Sequence, residues 1–240
     1  RARRLTVRTP FQAVAIAASV LLSACSSMPS MNPMDWFSTV SSGPKPAELP
    51  VLTNPQGVKL LWSSSIGAAE GFFFSPTLAD DGIYAASRSG TVARLEAASG
   101  QAKWRVSVGK RISSGVGSDG ALVAVAADDG EVFALDAKSG VVKWRARVSS
   151  EVLAQPKVSE GLVLVRSADS RIFAFGADDG RRRWVYQRAA AALVVRSPVG
   201  LTMSQGSAYA GFSGGKLVAI ALRNGILRWE ATVALPKGAT

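Results

Sequence analysis

"GEVFALDAKSGVVKW", residues 130–144, decides the fold, because the same fifteen positions return three more times without a gap. The other copies are "GTVARLEAASGQAKW" (90–104), "SRIFAFGADDGRRRW" (170–184) and "GKLVAIALRNGILRW" (215–229). Each ends on a tryptophan (Trp104, Trp144, Trp184, Trp229), with a glycine four residues before it (Gly100, Gly140, Gly180, Gly225). Self-similarity at intervals of about forty residues marks a stack of identical units. Within the unit, "EVFALDA" is a strand and the Asp/Ser/Gly cluster after it supplies the positive φ of a tight hairpin. "VVKWRARV" then returns as the next strand. Upstream, "ALVAVAA" (121–127) and "LVLVRSA" (162–168) are nearly continuous apolar runs, as expected of strands covered on both faces. Four strands per unit predict an all-β fold, a β-propeller of four-stranded blades whose seams hold the recurrent tryptophans. An earlier "VKLLW", ending at Trp62, reads as the last strand of the same unit, the strand that would close a ring.

The tetrapeptide "ADDG" occurs at 79–82, at 127–130 and at 177–180, and paired carboxylates could suggest calcium. In the blade frame the three copies fall before a second, a third and a fourth strand. Turn chemistry alone accounts for Asp-Asp-Gly at such places, so no metal site is expected.

The 240 residues suffice for one large β domain or two small ones with a real core. There is no histidine, which removes the commonest general base near neutral pH and the commonest metal ligand. Cys25 is the single cysteine, so neither an intrachain disulfide nor a cysteine metal cluster can form. The formal charge of +11 includes Arg1, Arg3, Arg4 and Arg8 of an acid-free leader; without them 24 basic and 17 acidic residues leave a mildly basic chain. Apart from Arg181, Arg182 and Arg183 those charges are scattered, and no nucleic-acid module accompanies them, so nucleic acid is not an expected partner.

Residues 1–24 have the organisation of a signal peptide. A basic start leads into an apolar run, Phe11 to Leu22, too short to span ~30 Å of hydrocarbon, and then into small residues. "LSAC" (22–25) resembles the bacterial lipobox, which implies cleavage before Cys25 and lipidation of its thiol. Acyl chains contribute roughly 0.8 kcal/mol per buried CH₂, so several of them anchor a protein lastingly. Ser26 follows where an aspartate would argue for inner-membrane retention. The resemblance therefore implies the periplasmic face of the outer membrane. Residues 25–57, rich in Pro, Ser, Asn and Gly, read as a tether spanning on the order of 30 Å, with the propeller occupying 58–240.

"ALDAKSGVVKW" is the motif of pyrroloquinoline-quinone-like propeller repeats. With the lipobox and tether, the chain resembles the BamB family of outer-membrane lipoproteins over nearly its whole length. That resemblance implies a non-enzymatic scaffold of the β-barrel assembly machinery, with no cofactor. Its partner would be a periplasmic POTRA domain of BamA, with unfolded outer-membrane protein precursors as further ligands. The same superfamily includes periplasmic quinoprotein dehydrogenases, which use carboxylate and amide calcium ligands, a carboxylate base and, in many cases, a vicinal disulfide. The disulfide is impossible here and no carboxylate cluster stands outside the turns. A propeller lipoprotein tethering another envelope partner is the third reading.

BamB-family proteins carry a Leu-x-Leu-Arg segment that contacts the POTRA domain. "LVVR" matches it, giving Leu193, Val195 and Arg196 as the expected partner-binding residues, with valine replacing the second leucine. The alternation places Leu193 and Val195 on one side and Arg196 on the other, and an exposed apolar pair beside an arginine makes an interface anchor. Without the resemblance, the preferred reading of the apolar pair would be the core of blade four; the resemblance reverses that preference. This segment precedes the fourth blade, where the tryptophan interval lengthens to 45 residues, against 40, 40 and 42 before it. With Pro198 matched to Pro156 and Pro76, two of the five extra residues precede Pro198 and three follow it, around "VGLTMSQGS". The family implies about eight blades, of which four complete units are expected here. Truncation at both ends is expected too, leaving an open arc with two uncovered blade faces and the family's acidic contact residues beyond Thr240.

Overall fold

The computed structural model describes residues 47–48, 57–188 and 198–234. Residues from Val58 onward belong to one compact unit. Its described strands form four antiparallel sheets, each of four strands in sequence order. Blade one comprises β1 (Thr77–Ala79), β2 (Gly82–Ala86), β3 (Thr91–Glu96) and β4 (Ala102–Ser107). Blade two comprises β5 (Gly117–Ser118), β6 (Leu122–Ala126), β7 (Glu131–Asp136) and β8 (Val142–Arg147). Blade three comprises β9 (Lys157–Ser159), β10 (Leu162–Arg166), β11 (Arg171–Gly176) and β12 (Arg182–Gln187). Blade four comprises β13 (Leu201–Ser204), β14 (Ser207–Phe212), β15 (Lys216–Ala221) and β16 (Leu227–Thr232). The first strand of each blade touches the first strand of the next, so β1, β5, β9 and β13 gather along one axis. This is the blade architecture the repeats predict.

The core lies in the seams. Tyr84, Ile112, Val125 and Phe133 fill the seam between blades one and two; Val132, Val163, Phe173 and Phe175 fill the next; Leu164, Ile172, Ala210 and Ile220 fill the last. Alternate residues of one middle strand therefore serve two different seams, as Val163 and Leu164 do, which is why β6 is wholly apolar and β10 is apolar up to its last residue, Arg166.

The repeat tryptophan has one fixed task. Trp104, Trp144 and Trp184 donate their indole N–H to the carbonyls of Ala137, Ala177 and Leu222 in the following blade, at 3.0, 2.9 and 2.6 Å. Each ring covers the turn glycine of that blade. A Cβ on Gly140, Gly180 or Gly225 would come within 2.9, 2.6 or 2.7 Å of the indole, and all three residues have φ between +65° and +74°. Glycine is required twice over there, by the left-handed backbone and by the ring. A β-bulge at the same place in every blade leaves the residue before the tryptophan unpaired (Lys103, Lys143, Arg183, Arg228), always basic and always exposed. The extra residue re-aims the strand, turning the tryptophan toward its neighbour.

"VKLLW" departs from expectation: residues 58–62 form no strand. A fourth strand needs the third strand of its own blade as ladder partner, and among the described residues no strand precedes β1. Trp62 nevertheless takes the usual seat, donating to Ala97 O at 3.0 Å with its ring on Gly100. At the other end β16 is exposed along its whole length, and Trp229 remains 44% accessible.

Candidate partner-binding edge at blade four

Leu193, Val195 and Arg196 lie outside the described residues, as does Cys25. The strand register does, however, relocate the extra residues of this region. Pro76, Val116 and Pro156 stand six residues before the second strands of their blades, and Leu201 stands six before β14. The turns between first and second strands agree, since Asp80, Glu160 and Gln205 all have φ near +50° two residues before the second strand. Leu201, not Pro198, is therefore the counterpart of Pro156. All five extra residues precede β13, and the expected split around Pro198 is corrected. Proline was a poor ruler because several positions of an irregular segment tolerate a fixed φ. Pro198 instead matches Phe73, Ser113 and Leu153, and these four line a cavity of about 240 Å³ at one mouth of the axis.

The top of the adjoining seam is also different from the other two. Between blades one and two it is closed by Ala86 beneath Ile112, and between blades two and three Ala126 and Val152 hold the same places, all buried. Between blades three and four the alanine position is Arg166. Counting back the same four residues from Leu201 reaches Ser197, outside the described residues. The Arg166 guanidinium lies 4.6 Å from the centre of the Phe212 ring. Its Nη1 donates to Gly211 O at 2.7 Å and to Val199 O at 3.4 Å. Gly211 is the residue of blade four equivalent to Arg166. Burial pushes the guanidinium pKa down from its ordinary value. Nearby, Glu230 pairs with both Arg188 and Lys216, tying β12 to blade four.

The "ADDG" carboxylates serve turns and surface ion pairs. Asp129 accepts from Glu131 N at 3.1 Å and pairs with Lys110; Asp179 accepts from Arg181 N at 2.9 Å and pairs with Arg183. Among the described residues no group of three or more His, Cys, Asp or Glu side chains is placed to hold a metal ion. Arg166 was not singled out from sequence, where "LVLVR" reads as a buried strand ending in a charge. The available signal was its alignment with Ala86 and Ala126.

Four-stranded blades sealed by tryptophan on glycine define a β-propeller of the pyrroloquinoline-quinone-like repeat class. A family model, outer membrane protein assembly factor BamB, matches residues 88–240. The chain belongs to the BamB family. It is 41% identical to the outer membrane protein assembly factor BamB of Bordetella pertussis, over 95% of this chain and 56% of that protein. The crystal structure of BamB from Moraxella catarrhalis superposes with a TM-score of 0.64 at 25% identity, covering 70% of this chain and 51% of the other. The chain thus spans about half the length of these relatives. A quinohemoprotein alcohol dehydrogenase from Comamonas testosteroni superposes with a TM-score of 0.58 at 18% identity, covering 72% of this chain and 37% of the enzyme, a likeness of fold alone.

Proposed function

We propose that this chain is part of a non-enzymatic scaffold lipoprotein of the outer-membrane β-barrel assembly machinery. Lipid on Cys25 anchors it to the periplasmic face of the outer membrane, and a tether over residues 26–57 holds the propeller clear of the surface. Leu193, Val195 and Arg196 contact a POTRA domain of BamA, with unfolded barrel precursors as further ligands. The observation that carries this reading is the family match, together with relatives named outer membrane protein assembly factors. The five-residue lengthening before β13 supports the location, since it falls entirely on the segment that contains "LVVR". Pull-down of BamA by the full-length protein, beside a Leu193→Ala/Arg196→Ala variant, tests it. Capture lost in the variant is the expected result, and undiminished capture removes these residues from the site.

A further inference from the structure

From Gly180 to Trp229 the chain contains eight basic residues (Arg181, Arg182, Arg183, Arg188, Arg196, Lys216, Arg223, Arg228) and no Asp or Glu. That run spans β12, the lead into blade four and most of blade four itself. Arg166 projects into the same region from β10, on the blade-four side of its strand, because Leu164 two residues earlier packs in that seam. Its recorded acceptors are two backbone carbonyls, and no carboxylate among the described residues pairs with it. Nε and Nη2 make no hydrogen bond to described residues, and the side chain is only partly buried. A guanidinium held by two carbonyls and a ring face, with a free edge, is preorganised to receive a carboxylate. Glu230, next to the end of that run, is already shared by Arg188 and Lys216.

We propose that Arg166 is a further partner-binding residue, taking an aspartate or glutamate of the docked protein at the top of the seam between blades three and four. The proposal rests on the reading that the lead into blade four is a protein-docking edge, and adds that the partner segment meeting it is acidic. At the other two seam tops the position of Arg166 is a buried alanine, Ala86 with Ile112 and Ala126 with Val152, and the one arginine buried there, Arg88, already has the Asp128 carboxylate as partner. In that place Arg166 brings a charge that alanine would not, with its head held against the Phe212 ring and Gly211 O.

The test uses the full-length protein and the immobilised POTRA domains of BamA from the same organism, with affinity measured across a salt series. Arg166→Gln should weaken binding about tenfold and flatten its salt dependence, because one charge-assisted contact is lost. A purely structural role would lower the melting temperature of Arg166→Gln and leave the salt dependence of binding unchanged. In Arg166→Lys, carbodiimide should join the amine at position 166 to an Asp or Glu of the POTRA domains, identified by mass spectrometry. That variant keeps the charge and covers the case in which Arg166→Gln fails to fold. Wild-type affinity and salt dependence in Arg166→Gln, or no cross-link from position 166 while binding persists, overturns the proposal. If Leu193→Ala loses binding in the same series, the docking reading stands without Arg166. If Leu193→Ala and Arg166→Gln both bind as wild type, the docking edge itself falls.

Discussion

The tryptophan seat makes a quantitative demand on one turn. Gly180 has φ of +65°, and a Cβ there would sit 2.6 Å from the Trp144 indole. Gly161 has φ of +72°, yet a Cβ at that position meets nothing within 4 Å. Alanine at Gly161 carries only the left-handed backbone cost, about 1 kcal/mol. Alanine at Gly180 carries the same cost and must also displace a packed ring, adding about 1–3 kcal/mol. The expected loss at Gly180 is therefore about 3 kcal/mol, against about a third of that at Gly161. Urea unfolding of the full-length protein measures both through the midpoint, provided the slope is unchanged. A Trp144→Ala background separates the two contributions. With the ring removed, Gly180→Ala should cost only the backbone share, leaving a coupling of about 2 kcal/mol between the sites. Equal losses at Gly161 and Gly180, or a coupling near zero, would refute the ring-on-glycine account of the seam.

Two further outcomes follow from charged groups. Arg88 is buried between blades one and two, where it pairs with Asp128 at 2.7 Å, donates to Ile112 O at 2.9 Å and stacks on Phe72. Asp128→Ala should lower unfolding stability by about 2 kcal/mol in urea melts, less than for a fully buried pair because the carboxylate is partly exposed. Arg88→Met, which removes the charge and keeps the stem, should cost less than Asp128→Ala. The Ser139 hydroxyl and the backbone N–H groups of Ser139 and Lys138 hold the Asp136 carboxyl below the usual carboxylate range. A depressed carboxylate stabilises the fold above its unfolded value of about 4 and loses that contribution as pH falls through the folded value. Melting temperatures of wild type and Asp136→Asn should therefore differ at pH 7 and converge as pH falls through the folded value; a constant gap would discount the turn.

The blade was legible because its determinants are local and repeated. Apolar runs on both-face-covered strands, the turn glycine and the tryptophan all recur at fixed offsets, and each has a reason visible in a single unit. The bulge before the tryptophan was not legible, since a bulge is a property of two strands in register and the basic residue that marks it also suits an exposed strand. "VKLLW" was misread for the same kind of reason. Its side-chain pattern is that of a fourth strand, but strand formation depends on a ladder partner, whereas the Trp62 seat depends only on Gly100 and Ala97 O. At the candidate edge, proline matching misplaced three residues that the strand register assigns to the lead. Arg166 escaped notice because its meaning lies across a seam, in Gly211, Phe212 and Val199 of the next blade.

Blade four departs from its predecessors in three coupled ways, and the coupling is what separates specialisation from drift. The lead is five residues longer than its counterparts, and the position held by alanine in the other two seams is Arg166. An alanine at position 166 would take from the Phe212 ring and the Gly211 carbonyl the contacts that the guanidinium makes with them. Arginine solves both problems at once, its planar head covering the ring and its N–H groups satisfying the carbonyl. A leucine or methionine would cover the ring equally well but leave Gly211 O without this donor. Packing thus explains the stem of Arg166 and hydrogen bonding explains one edge of its head. The edge that bonds no described residue is accounted for by neither, and the residues that hold Arg166 belong to the one fifty-residue stretch of this chain that has eight cations and no acid.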